Sequence, residues 1–121
     1  MDDFFTSEEK KELFSLYRHL MQSAGDSISW KDCQKLKNHL IKAAQYNGLQ
    51  RNNFGMNPVI KDLQTAVIVA EEIGMKGSCL IGIMLHEIVK THILSIDEVS
   101  VEYGEDVASI IKGLVKTNEL Y

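Results

Sequence analysis

The stretch SCLIGIMLHEIVKT, residues 78–91, decides the fold of this chain of 121 residues. Its apolar side chains fall on nearly every side of an α-helix, and such a helix has to be covered by other elements. The remaining sequence supplies about five more helical patterns and almost no hairpin signal. We therefore expect an all-α fold: a compact bundle of about six helices in which residues 78–91 form the apolar central helix.

The neighbouring helices are predicted from their capping signals. Thr6 with Glu9, and Ser95 with Glu98, have the capping-box spacing, in which each side chain satisfies a backbone N–H near the other. Asn57-Pro58 predicts the start of helix three, which we expect to end at Gly74. Its predicted apolar residues are Val59, Leu63, Ala66, Ala70 and Ile73. Helix two is predicted to run from Ser29 to near Gly48 and to bury one face: Trp30, Cys33, Leu36, Leu40 and Ala43.

Length and composition predict one domain over residues 1–121, with a helical pair at 1–48 and a core at 57–121. An ending directly after an apolar helix suggests an N-terminal fragment of a longer chain. The net charge of −4 argues against a nucleic-acid partner, because phosphate backbones require a basic surface. The apolar run 79–85 is too short to span a membrane. Cys33 and Cys79 lack metal-type spacing and are interpreted as buried thiols of a cytoplasmic protein.

His86 is the most informative polar residue, because it lies inside the most apolar helix and is followed by Glu87. A buried imidazole needs a partner or a ligand. A His-acid pair can supply lone pairs to a cation, but adjacent His-Glu pairs are also common by chance. From spacing alone, a satisfied core histidine and a metal ligand both remain open.

Four segments carry a resemblance to a known family: AVIVAEEIGM (66–75), LHEIVKT (85–91), YGEDVA (103–108) and IIKGLVK (110–116). In order, spacing and helical placement they resemble the HD-type hydrolase domain of the RelA/SpoT homologues, which make and degrade the alarmones ppGpp and pppGpp. The resemblance covers residues 43–116, whereas the first forty residues match only as a helical pair. It implies an HD-domain-like bundle.

The resemblance also implies which positions held the metal, and these positions have changed. The family's first histidine ligand falls on Lys61 and the proline after it on Asp62, while its His-Asp pair falls on His86 and Glu87. A charged lysine has no lone pair and cannot ligate a metal. We therefore expect no cofactor, with Mn²⁺ as the metal only if the hydrolase is active. A lysine-for-metal hypothesis adds that Lys61 and Lys90 pair with Glu87; two solvated surface lysines are the alternative.

The catalytic and nucleotide-binding positions implied by the resemblance differ as well. The family's Glu-Asp pair, which serves the attacking water, falls on Lys90 and Thr91, neither of which replaces a carboxylate base. Its Arg-Lys pair, which cradles the guanine nucleotide, falls on Asn52 and Asn53, with Arg51 adjacent.

Three functional hypotheses follow from the resemblance. The first is a degenerate (p)ppGpp hydrolase-type domain with a regulatory or structural role beside the synthetase domain of a GTP pyrophosphokinase. The second is an active Mn²⁺-dependent (p)ppGpp 3′-pyrophosphohydrolase. The third is a non-catalytic module that binds a guanosine alarmone or another guanine nucleotide.

Overall fold

The computed structural model describes residues 4–46, 49–51, 54–75 and 77–119, with residues 117–119 as backbone only. A 3₁₀ turn, Gly25–Ser27, follows α1, and a π-helical turn, Val69–Ile73, continues α3. No strand occurs among the described residues, and the predicted all-α bundle of about six helices is confirmed. The six α-helices of these residues are α1 Ser7–Ala24, α2 Trp30–Ala44, α3 Pro58–Ile68, α4 Ser78–Lys90, α5 Ile96–Tyr103 and α6 Glu105–Glu119.

The predicted helix starts are present with their caps. The Thr6 hydroxyl accepts from the backbone N–H of Glu9, and the Glu9 carboxylate accepts from the N–H of Thr6, which completes the capping box of α1. Ser95 caps α5 in the same way. The buried Asn57 side chain accepts from two N–H groups of α3, next to Pro58 in the first turn. These starts depend on residues only three apart, which is why the sequence reveals them.

The core is built around α4, as its apolar sequence predicts. Leu80, Met84, Leu85 and Ile88 of this helix are fully buried. Helix α4 packs between α3 and α6, while α1 packs on the other side of α3. Packing at the centre of the bundle therefore holds one face of α4 against α3, and this face carries His86.

Several local predictions are wrong. Trp30 is 76% exposed, and Ile73, predicted to lie on the apolar face of helix three, is 62% exposed. Trp30 is the first residue of α2, where there is no preceding turn to pack against, and Ile73 lies in the π-helical turn, which shifts its side chain off the α-helical face. Helix α2 ends at Ala44, short of the predicted end near Gly48, which lies outside the described residues.

The cysteines also differ from expectation, and two further histidines have partners on other elements. Cys33 and Cys79 are free but only half-buried. His19 contacts the Glu71 carboxylate of the π-helical turn, and the Nδ1 atom of His39 lies 2.6 Å from the Tyr103 hydroxyl. Each histidine partner comes from a distant part of the sequence, so spacing within a helix could not reveal it.

Within the described residues, no helix combines the length and the apolar character needed to cross a bilayer.

Candidate functional site

His86 and Glu87 lie in the last two turns of α4 and face Asp62, which α3 presents from the opposite side. The Oδ2 atom of Asp62 accepts a hydrogen bond from the backbone N–H of Glu87 at 2.8 Å. Its Oδ1 atom lies 3.4 Å from Nδ1 of His86. The same ring nitrogen lies 3.9 Å from Oε2 of Glu87. One carboxylate of α3 therefore binds two successive residues of α4.

The resemblance implies a site position at Lys61 and none at its neighbour Asp62. On α3, Val59, Leu63 and Ala66 are fully buried. Asp62 is three residues after Val59 and four before Ala66, so it lies on the same helical face as these apolar residues. A carboxylate within an apolar stripe needs a partner, and this signal was visible in the sequence.

The three side chains have the composition of a metal-binding set. One potential ligand atom from each of Asp62, His86 and Glu87 lies within 4.8 Å of the other two. One imidazole nitrogen and two carboxylate oxygens suit Mn²⁺ or Zn²⁺ better than a soft cation. The residues therefore fit a divalent ion in kind. However, one oxygen of Asp62 already accepts from the backbone, and a metal would have to compete for the other.

The surroundings of His86 and Glu87 raise the pKa values of both side chains. The Asp62 carboxylate raises the pKa of His86 through the contact at Nδ1, and Glu87 adds to this effect, while burial opposes it. Burial raises the pKa of Glu87, although Lys90, His86 and Lys61 oppose the rise. A proton on His86 balances the negative charge of Asp62 without metal. Because a metal ligand must be deprotonated, such a proton competes with metal binding.

These side chains open into a cleft of about 810 Å³. The exposed Lys61 and Lys90 lie on its walls. Its charged or titratable lining residues are Arg51, Lys61, Asp62, His86, Glu87 and Lys90. Glu9 pairs with Arg51, so with His86 neutral the ammonium groups of Lys61 and Lys90 balance the two carboxylates of the cleft. This leaves no net negative charge to attract a dication.

The lysine-for-metal hypothesis is wrong in its detail. Within the described residues, no ion pair of 4.0 Å or less joins Lys61 or Lys90 to Glu87. Both lysines do lower the pKa of Glu87 through space, since they share its cleft.

Thr91 is not positioned as a base, because its hydroxyl donates to the Glu87 carbonyl at 2.7 Å and so caps the end of α4.

Arg51, predicted to lie near a nucleotide, is engaged within the protein. Its guanidinium donates to both carboxylate oxygens of Glu9, at 2.6 and 2.8 Å, and to the carbonyls of Phe4 and Gly55. It also lies 4.8 Å from the centre of the Phe4 ring. Arg51 therefore joins the loop before α3 to the start of α1. Asn52 and Asn53, the other predicted nucleotide-binding residues, lie outside the described residues.

We expect the Glu9–Arg51 pair to make stability depend on acid pH. The hydrogen bonds from Arg51 lower the pKa of Glu9 from 4.5 to about 2. A carboxyl whose folded pKa is lowered stabilises the protein above its unfolded pKa and loses this effect as pH falls through the folded pKa. Because water screens this pair, we expect it to contribute about 1 kcal/mol above pH 4.5, lost between about pH 4.5 and 2.

Urea unfolding of the wild type and Glu9→Gln across this pH range measures the effect. Glutamine keeps one acceptor oxygen for the capping box, and it removes the charge and the second acceptor for Arg51. Glu8→Gln, in the same turn and exposed, is the matched control. A stability difference between wild type and Glu9→Gln that stays constant with pH would contradict the expectation.

Comparisons of this chain with protein-family models, with curated proteins and with solved structures find no match. The likeness to the RelA/SpoT hydrolase domain therefore stays a prediction from the sequence motifs.

Proposed function

We propose that this chain is a RelA/SpoT-type hydrolase domain that has lost the metal-dependent reaction and serves a regulatory or structural role in guanosine tetraphosphate metabolism. The sequence motifs support the family. One structural observation supports the loss of the reaction: Lys61 and Lys90 share the cleft with Asp62, His86 and Glu87. Two ammonium groups lie where the family needs lone pairs and a general base.

The chemistry of the cleft explains why this composition disfavours hydrolysis. Removal of pyrophosphate by this mechanism requires water activated by a metal ion. The ammonium groups of Lys61 and Lys90 repel a dication and stabilise Glu87 without one. Lys90 and Thr91 stand where the resemblance puts the family's Glu-Asp pair. Lys90 offers an ammonium group, and the Thr91 hydroxyl donates to a backbone carbonyl. Among the residues that line the cleft, only Asp62 and Glu87 carry a carboxylate that could serve the attacking water.

A domain without this reaction can still influence a neighbouring domain. The resemblance implies a parent GTP pyrophosphokinase, in which a synthetase domain transfers pyrophosphate from ATP to the 3′-hydroxyl of GTP or GDP. A silent hydrolase-type domain that packs differently on two states of the synthetase would shift their populations. The partner required by this proposal is the synthetase domain of the parent protein that the resemblance implies.

The Asp62–His86–Glu87 set favours a second candidate, an active Mn²⁺-dependent (p)ppGpp 3′-pyrophosphohydrolase. Its three ligand atoms are close enough to approach one ion. This candidate requires His86 to be unprotonated and one oxygen of Asp62 to turn to the metal. It also requires a new base for the attacking water.

Calorimetric titration separates the candidates. The protein is titrated with MnCl₂, and then with ppGpp and GDP in the presence and absence of Mn²⁺, while released pyrophosphate is assayed. We expect no tight manganese binding and no pyrophosphate release. Tight manganese binding that disappears in His86→Ala, together with pyrophosphate release, would establish the second candidate instead. Binding of ppGpp or GDP without cleavage would support a nucleotide-binding module.

A variant that restores the family's residues provides the positive control for this titration. Lys61→His, Lys90→Glu and Thr91→Asp together remove two cations and add two carboxylates and an imidazole. We expect manganese affinity to rise at least about tenfold, because each removed or added charge acts directly on the ion. Lys112→Glu, an exposed change on α6, is the matched control. Unchanged manganese affinity in the restored variant would contradict the role assigned to the lysines.

A further inference from the structure

A second concave site lies between α1 and α2, away from the cleft described above. It has a volume of about 460 Å³ and shares no lining residue with that cleft. Four of its six lining residues are basic and two are aromatic, and none is acidic. These residues are Lys10, Lys11, Phe14, Tyr17, Arg18 and Lys37. We call this site the basic pocket.

The helices place these residues together for a simple reason. Positions 10, 14 and 17 recur at three- and four-residue intervals, and 11 and 18 lie beside them, so all five fall on one face of α1. The Tyr17 hydroxyl donates to the Cys33 carbonyl of α2 at 2.7 Å. Lys37 follows Cys33 by one helical turn. The hydrogen bond of Tyr17 therefore holds Lys37 across from the cations of α1.

The basic pocket gathers four positively charged side chains on an acidic chain. The whole chain has a net charge of −4 and only 13 lysines and arginines. Lys11, Arg18 and Lys37 are exposed, and within the described residues no ion pair of 4.0 Å or less involves them. Like charges gathered in one concavity repel each other, and an anion in the pocket relieves that repulsion.

We propose that the basic pocket binds a nucleoside polyphosphate. Lysine and arginine side chains are the usual protein ligands of phosphate groups. Three such cations in one pocket indicate a ligand with at least two phosphate groups. Phe14 and Tyr17 are half-buried and give the same pocket an apolar wall on which a flat base can pack. The volume falls within the range of small-molecule sites, about 300–1,000 Å³.

The same observations favour a small ligand over a macromolecule. A nucleic acid or a long acidic peptide would extend past the pocket onto a protein surface that is negative on balance. A nucleoside polyphosphate fits within the pocket and meets only its cations and rings. This inference is independent of the resemblance and of the function proposed for the cleft, because it rests on α1 and α2 alone.

Calorimetric titration of the full chain at low salt tests the proposal, with ATP and GTP as probes and tripolyphosphate and adenosine as partial ligands. We expect a dissociation constant of about 1 mM or tighter for at least one triphosphate. Tripolyphosphate and adenosine are expected to bind more weakly, because each keeps only one part of the contacts. Raising the ionic strength to about 0.5 M should weaken binding, because exposed charges are screened.

Variants locate the binding site. Arg18→Gln and Lys37→Gln are each expected to weaken triphosphate binding about two- to fivefold, the range for an exposed charge pair. Lys42→Gln is the matched control on α2, since Lys42 lies near His39 and Glu98, beside α5. It should leave binding unchanged. All of these side chains are exposed, so folding is expected to persist in each variant.

Four outcomes would overturn the proposal. The first is the absence of triphosphate binding at low salt. The second is binding that Arg18→Gln and Lys37→Gln do not weaken. The third is binding lost in Lys61→Gln and Lys90→Gln instead, which would assign the ligand to the cleft. The fourth is tripolyphosphate binding as tightly as ATP and GTP, which would remove the role of the aromatic wall.

Discussion

Replacing Asp62 with alanine is expected to lower the free energy of unfolding by about 2 kcal/mol. The substitution removes a charge-assisted hydrogen bond of 2.8 Å to the backbone N–H of Glu87. It also removes the carboxylate next to His86, whose side chain is only 12% exposed. A largely buried imidazole beside a largely buried Glu87 then loses its main partner. Urea unfolding monitored by circular dichroism measures this loss.

The pH dependence of the Asp62→Ala effect has a defined sign. The pKa of His86 is raised above its ordinary value of 6.5, chiefly by Asp62. A histidine with a raised folded pKa contributes stability that is complete below the unfolded pKa and is lost as pH rises through the folded value. The difference between wild type and Asp62→Ala is therefore expected to be larger near pH 6 than near pH 9.

Asp62→Asn separates the charge from the hydrogen bond. The asparagine carbonyl can still accept from the Glu87 N–H, so the loss of stability should be smaller than in Asp62→Ala. Without the negative charge, the pKa of His86 should fall, as measured by NMR titration of its ring protons. A pKa of His86 that is unchanged in Asp62→Asn would contradict the pairing of α3 and α4 through this residue.

Gly82→Ala is expected to destabilise the protein by about 2 kcal/mol, although alanine is the better helix former. Gly82 is buried in α4, and a Cβ atom there would lie 2.6 Å from Cγ2 and 3.2 Å from Cβ of Ile110 on α6. A β-branched side chain on a helix has one strongly preferred rotamer, so Ile110 cannot easily move away. The glycine therefore permits the close contact of α4 with α6.

Gly113→Ala is the matched control, because it also places alanine at a helical glycine. Gly113 is exposed on α6, and in the part of the chain that the structure describes no atom beyond its own helix backbone lies within 4 Å of a Cβ atom there. We expect this change to stabilise the protein by up to about 1 kcal/mol through helix propensity. Thermal unfolding should thus shift in opposite directions for the two variants. Adding Ile110→Ala to Gly82→Ala should cost less than the sum of the two single changes, since it removes the clash.

The consequence for function is that the cleft and the core are linked. The same α4 provides the buried centre of the bundle and presents His86 and Glu87 to Asp62. Its position is set by the glycine contact with α6 and by the carboxylate of α3. A change in how α4 packs would therefore alter the cleft.

The element boundaries could be predicted largely from the sequence because they depend on short-range interactions. Capping at Thr6, Asn57 and Ser95 joins residues two or three apart, and the structure has these caps as predicted. Apolar periodicity predicts burial less reliably at the ends of helices. Trp30 and Ile73 follow an apolar spacing but are exposed, because the spacing does not reveal where a neighbouring helix ends.

The candidate site could be predicted only in part. His86 stood out because an imidazole in an apolar helix is costly unless it has a partner. Its partner Asp62 is 24 residues away, and the resemblance points to the adjacent Lys61 instead. The nucleotide contact of Arg51 stays a prediction, and its observed partners Glu9, Phe4 and Gly55 could not be predicted from local spacing.

By itself, the sequence determined an all-helical chain, where its helices begin, and which helix is central, since backbone capping and apolar periodicity act within one or two turns. The tertiary structure alone decided which polar side chains meet. Asp62 with His86, Arg51 with Glu9, and Tyr17 with Cys33 each join elements whose relative rotation is set by packing of the core. A rotation of one residue along a helix turns a side chain by about 100°, so these partners depend on the packing of all helices together.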